Sequence, residues 1–224
     1  YSLGTGEHFL TQRVRMHNPG TNAYPWMSWT NAAIPCMPDT EYNFPQGEVL
    51  VHASALDTIN WKKQGPKKEK DISEMTGYFW KTKDVNAFGA YTPSLGYGLY
   101  HIADEQSAPG IKLWSYGVKE DKEWSLLSTN NRQTYAELQG GPISDQSIKL
   151  ELQPGEYREH TEFWIPADKR MDICKLSVPE VALRPITEVP LFGWARENEI
   201  APWIALLNAF EYGTDIPQID PTTT

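Results

Sequence analysis

Tyr135, Glu137 and Gln139 alternate with Ala136 and Leu138 in the run Tyr135–Gly141. On a strand, successive side chains point to opposite faces. One face is then apolar, while the other carries a ring, a carboxylate and an amide in a row. That set suits a sugar, which needs a flat apolar surface for its C–H face and fixed polar groups for its hydroxyls. Lys112, Trp114 and Tyr116 repeat the pattern opposite Ile111, Leu113 and Ser115. Their face reads as a cleft wall and the other as core. A solvated strand face is the alternative, with Glu137 in a cross-strand ion pair with Lys112 or another lysine and Trp114 as packing. His101 is the natural proton donor near neutral pH, although a lone histidine is more often structural. Glu162 offers a second carboxylate. Two carboxylates across a sugar suit glycoside hydrolysis; the competing reading puts Glu162 at the rim or in the support of the fold.

Strands must carry these residues. Leu10–His17 alternates with period two and ends at Asn18-Pro19-Gly20, a strong turn signal. Further strands are expected over Tyr24–Ile34, Glu48–Ala53, Tyr97–Ala103, Ile111–Tyr116, Trp124–Leu127, Tyr135–Gln139, Ser147–Leu152, His160–Ile165 and Ile173–Val178. The 17 prolines and 16 glycines are spread along the chain, as in sandwiches and barrels. No helix is expected before residue 190. Ala201–Tyr212 reads as a helix: Pro202 suits an early position, Gly213 the C-terminal cap, and Trp203, Leu206, Leu207 and Phe210 form one stripe. The expected organisation is a β-rich unit over residues 1–180, an extension with the helix over 181–213, and a linker-like tail over 214–224.

The 224 residues carry a net charge of −9, from 20 basic and 29 acidic side chains. No basic stripe is available to displace phosphate counterions, which argues against nucleic acid. The cluster Lys62–Lys70 reads as a solvated loop. No run approaches transmembrane length. Cys36 and Cys174 make one disulfide or none and leave the compartment open. His8, His17, His52 and His160 have no metal-ligand spacing. No phosphate-binding loop, dinucleotide fingerprint or serine-nucleophile motif is present, and neither cofactor nor metal is expected. The chain opens at Tyr1 without an apolar leader, which points to a processed product or a fragment.

Several segments together carry a resemblance. These are Asn18-Pro19-Gly20, Tyr24-Pro25-Trp26-Met27-Ser28-Trp29-Thr30-Asn31-Ala32-Ala33, Gly77-Tyr78-Phe79, Phe88-Gly89-Ala90-Tyr91 and Gly98-Leu99-Tyr100-His101-Ile102-Ala103-Asp104. Pro109–Gly117, Tyr135–Gly141 and Glu162-Phe163-Trp164-Ile165-Pro166 follow in the same order. Residues 8–168 resemble an uncharacterised bacterial domain family of the galactose-mutarotase-like superfamily, often found ahead of tetratricopeptide repeats. The resemblance implies an all-β fold, an antiparallel β-supersandwich with a saccharide cleft on its concave sheet and a short C-terminal helix after it. It also implies further strands before Tyr1, so that this chain holds the later part of the sandwich, with a carbohydrate as ligand and a helical-repeat region as neighbour. In mutarotases a late glutamate is the general base at the anomeric hydroxyl, and Glu137 occupies the comparable strand, with His101 as its acid. A second mutarotase histidine follows an Asn-containing turn. Trp29-Thr30-Asn31 stands there instead, which weakens the case for epimerisation and leaves Asn31 and Trp29 as hydroxyl-binding and stacking groups. A carbohydrate-active enzyme, a carbohydrate-binding module and a structural domain attached to helical repeats are the three readings.

Overall fold

The computed structural model describes residues 1–117 and 134–181, together with 205, 206, 208, 209, 212 and 213. Among these, the strands are β1 (Leu10–His17), β2 (Tyr24–Trp26), β3 (Thr30–Pro35), β4 (Glu41–Asn43), β5 (Glu48–His52), β6 (Leu56–Asn60) and β7 (Thr76–Trp80). They continue with β8 (Ala87–Thr92), β9 (Tyr97–Ala103), β10 (Gly110–Ser115), β11 (Tyr135–Gly141), β12 (Leu150–Leu152) and β13 (Tyr157–Ala167). One sheet runs β1-β13-β9-β8-β4 and the other β3-β11-β10-β7-β5-β6, while β12 and β2 form a small ribbon. Every pairing between these strands is antiparallel. The architecture is the all-β sandwich that the alternating patterns predict. No helix among the described residues is long and apolar enough to cross a membrane.

The core lies between the sheets. Phe44, Trp61, Trp80 and Phe88 interlock there, with Phe44 stacked on both Trp80 and Phe88. The apolar halves of the alternating strands supply the rest, including Ile34, Ile111, Leu113, Ala136 and Leu138. A second, smaller cluster (Ala87, Ile102 and Phe163) packs under Ile173, Leu176 and Val181.

Two buried carboxylates tie the sheets together. Glu69 accepts hydrogen bonds from Tyr42 of β4 and from Ser115 of β10, the latter at 2.6 Å. Burial pushes its carboxyl upward against those donors and pushes the neighbouring Cys36 thiol up to about 12. Glu162 of β13 accepts from Thr30 Oγ1 at 2.8 Å and lies 2.9 Å from His101 Nε2. His160 Nε2 lies 2.9 Å from its other oxygen, without hydrogen-bond alignment. Gln12 extends the chain, donating to Thr30 and accepting from Trp164 Nε1. A buried charge is tolerated only when paired in this way.

Several sequence expectations need correction. The expected strand Tyr24–Ile34 is two strands, and Trp29 lies in the connection between them. Ser147–Leu152 contributes only Leu150–Leu152, because Asp145 caps the preceding turn by accepting from the Ser147 backbone and hydroxyl. Ile173–Val178 holds a 3-10 turn at Ile173–Lys175, started by Asp172 accepting from the Cys174 N–H. The lysine-rich stretch is not all loop: Trp61–Gln64 is a helical turn capped by Asn60, and Glu69–Asp71 is a 3-10 turn that delivers the buried carboxylate. Both cysteines are free, Cys36 buried and Cys174 exposed. The expected strand 124–127 lies outside the described residues. Of the expected C-terminal helix, Ala205, Leu206, Asn208, Ala209 and Tyr212 are helical.

Gly140 sits against the interior pair His101 and Glu162. A Cβ there would stand 2.8 Å from the His101 ring and 3.0 Å from Glu162 Oε2. Overpacking of this kind costs about 1–3 kcal/mol. Gly140→Ala is expected to lower the melting temperature by about 2–12 °C for a chain of this size, as read by thermal denaturation.

Candidate functional site

The outward face of the six-stranded sheet is a grid set by strand register. Residues directly opposite each other on neighbouring strands share a face. Gln139 opposes Asn31 and Lys112, and Lys112 opposes Phe79. In the next row Glu137 opposes Ala33 and Trp114, Trp114 opposes Gly77, and Gly77 opposes His52. Six of the residues singled out from sequence, Tyr135, Glu137, Gln139, Lys112, Trp114 and Asn31, therefore lie on one face. Trp29 joins them from the β2–β3 connection, its ring edge-on to Phe79 at 6.0 Å. The inward face of the same strands is Ala136, Leu138 and Gly140 on β11, and Ile111, Leu113 and Ser115 on β10, all buried.

Packing fixes the polar groups. Gln139 is buried and donates from Nε2 to Glu137 Oε2 at 2.7 Å. The half-buried Glu137 is thus oriented along its own strand, and it makes no ion pair with Lys112, contrary to the cross-strand alternative. Trp114 is held edge-on by Tyr116 at 4.6 Å and tilted against Tyr135 at 5.8 Å. A hydrogen bond of 3.3 Å joins the Tyr116 and Tyr135 hydroxyls, and this bond, with burial, raises the Tyr135 phenol. The Lys112 ammonium lies 5.0 Å from the Phe79 ring centre and 6.0 Å from that of Trp29. Burial lowers the Lys112 pKa, opposed by the charge of Glu137.

Beside this grid is a hollow of about 410 Å³, walled by His52, Glu74, Phe79, Lys112, Trp114 and Gln146. Gly77 lies in its lining, and the absent side chain leaves room between Trp114 and His52. His52 is the site residue that sequence reasoning missed. Its strand was legible, but its place across Gly77 depends on the pairing of β5 with β7, which no local pattern announces. Among the described residues no cluster of three or more His, Cys, Asp or Glu side chains is placed to hold a metal ion.

His101 is not on this face. Its ring is 1 % exposed, stacked on Phe88 at 4.4 Å and bonded to Glu162. It packs against Gly140, on the side of β11 opposite to Glu137. The expected base and acid are thus separated by the thickness of a sheet. The physical reason is strand parity: His101 opposes Phe88 and Trp164, which both face the core. Glu162 is also interior, which matches its reading as a support of the fold and removes it as the second carboxylate of a hydrolase.

Residues 1–167 match a family described as a domain of unknown function, DUF5107. The chain belongs to this family. A TPR-domain-containing protein from Parabacteroides distasonis is 67% identical over 96% of this chain, with a TM-score of 0.80. This chain spans 37% of that protein's length. The Slr1438 protein of Synechocystis is similar at 12% identity and a TM-score of 0.54, over 72% of this chain and 52% of its own. A putative aldose 1-epimerase of Escherichia coli K12 is similar at 12% identity and a TM-score of 0.52, over 71% of this chain and 56% of its own. At such identities the likeness concerns the fold, and the fold of this DUF5107 domain is galactose-mutarotase-like.

The Glu162 cluster makes a pH prediction for the domain. Burial alone would raise this carboxyl, but the close His101, His160 and Thr30 donors and the charge of His101 outweigh it and hold it at about 2, against an ordinary 4.5. A carboxyl depressed on folding stabilises the fold fully above its unfolded value. That contribution is lost as pH falls from 4.5 towards 2, and amounts to about 3 kcal/mol. Glu162→Gln is expected to be less stable than the parent at pH 7. The gap should close across that window when denaturant midpoints are compared.

Proposed function

We propose that this domain recognises a saccharide on the outward face of the six-stranded sheet. The observation that carries the reading is the pair of facing couples, Trp114 with Glu137 and Lys112 with Gln139, beside a hollow left open at Gly77. An indole supplies an apolar platform, and the carboxylate and amide supply directional partners for hydroxyls. The mutarotase-like fold is compatible with this use, and one similar structure carries the name putative aldose 1-epimerase; fold likeness alone is a weak warrant for activity. Asn31 and Tyr135 extend the polar and aromatic edges of the same face.

The reading is one of binding first. General acid–base chemistry at one sugar ring needs a donor and an acceptor within reach of the same bond. His52, the histidine on this face, is three strands from Glu137, or about 14 Å at the usual strand spacing. That exceeds the span of one ring and fits opposite ends of a longer glycan. A second reading, chemistry at an anomeric centre with Glu137 as proton acceptor, is favoured by the Gln139 bond that presents its carboxylate in a fixed orientation. In the longer protein the domain would act beside helical repeats, as the TPR-domain-containing relative suggests.

Two variants separate these readings. Trp114→Ala is expected to weaken saccharide binding about tenfold or more in calorimetry, with the melting temperature little changed. Glu137→Gln should keep most of the binding, and any anomer exchange detected by NMR should vanish with it. Exchange that persists at the parental rate in Glu137→Gln would remove Glu137 from the chemistry, and unaltered binding in Trp114→Ala would remove this face.

A further inference from the structure

This face carries a cation, Lys112, that is drawn partly out of water. Lys112 is half-buried, yet no carboxylate among the described residues lies within ion-pair distance of its ammonium. The aromatic rings of Phe79 and Trp29 flank it instead. The contrast with other partly buried cations is direct: Lys81 is paired with Asp145, Lys83 with Glu105 and Arg13 with Glu159. A cation drawn out of water and left on aromatic faces retains most of its capacity for an anion. Burial already works against its charged form, so an arriving anion would recover what folding costs it.

Resting on the saccharide reading above, we infer that the ligand is an acidic saccharide whose carboxylate or sulfate is taken by Lys112 while Trp114 stacks on the ring. The register supports the geometry. Lys112 and Glu137 are diagonal neighbours on adjacent antiparallel strands, roughly 7–8 Å apart between their backbones. That is comparable to the reach across one pyranose from its anomeric oxygen to its exocyclic acid group. Glu137 would then face hydroxyls at one end of the ring and Lys112 the anion at the other. Glu74 also lines the hollow, and its carboxylate disfavours an anion beside itself.

The test compares matched ligands on the whole chain by calorimetry: galactose, galacturonate and galactose 6-sulfate, with the glucose series alongside. At least one acidic sugar is expected to bind about tenfold or more tightly than its neutral counterpart, the effect of one charged hydrogen bond. Lys112→Met should erase that preference, so that acidic and neutral sugars bind alike, and Lys112→Arg should restore it. The comparison on the parent protein needs no variant and stands whether or not Lys112→Met folds. Neutral sugars bound as tightly as acidic ones would overturn the inference and leave the saccharide reading in place. No binding from either series would remove both. Inorganic sulfate binding as tightly as the sulfated sugar would replace the inference with a plain anion site.

Discussion

The arrangement depends on one interior carboxylate. Glu162 is fully enclosed between the sheets, where an unpaired charge would be strongly destabilising. Its partners come from three different strands: Thr30 begins β3, His101 lies in β9, and His160 is two residues away on the same face of β13. Satisfying it therefore fixes where the edge of one sheet sits over the middle of the other. Thr30 also opposes Gly140 across the β3–β11 ladder. The bond that neutralises Glu162 thus fixes the register of the strands that present Asn31, Gln139 and Glu137. A slip of one residue would turn those side chains inward, and in one direction would bring Gln139 in place of Gly140 against His101.

Glu69 plays the matching part elsewhere in the sandwich, with a different electrostatic outcome. Its donors are hydroxyls from Tyr42 and Ser115, and burial still prevails over them. Glu162 has imidazoles as well as a hydroxyl, and there the partners prevail. Both carboxylates join the sheets, but they respond oppositely to pH. Acid removes the contribution of Glu162, whereas for Glu69, whose carboxyl is raised on folding, stability is lost as pH rises through its folded value.

Much of the fold was legible because alternation is a local signal. Tyr97–Ala103 and Glu48–His52 form strands almost as their patterns predict, and the polar face of Tyr135–Gly141 is outward with its apolar face buried. What local pattern did not show was parity between distant strands. His101 stands in a strand that was read correctly, but its face is set by Phe88 and Trp164 on either side. His52 was passed over for the same reason in reverse. Short strands such as β4 and the all-buried β7 were missed because three residues, or five buried on both faces, give no alternation to detect. Glu69 was hidden inside a lysine-rich run whose composition suggested solvent.

The treatment of charge distinguishes the parts of this domain that hold the fold from the part suited to a ligand. Inside the sandwich Glu69 and Glu162 each have partners on both sheets. On the outward face Glu137 is held by one amide bond and remains half-buried, and Lys112 rests on aromatic rings with no carboxylate among the described residues in contact. A fold selected only for stability gains nothing from placing a half-dehydrated ammonium beside an indole and a glycine-floored gap, because desolvation opposes the charge. The arrangement becomes favourable when a ligand completes it. By this argument the Lys112 face, more than the histidine–carboxylate pair that most resembles catalytic machinery, is the place to test for the proposed ligand.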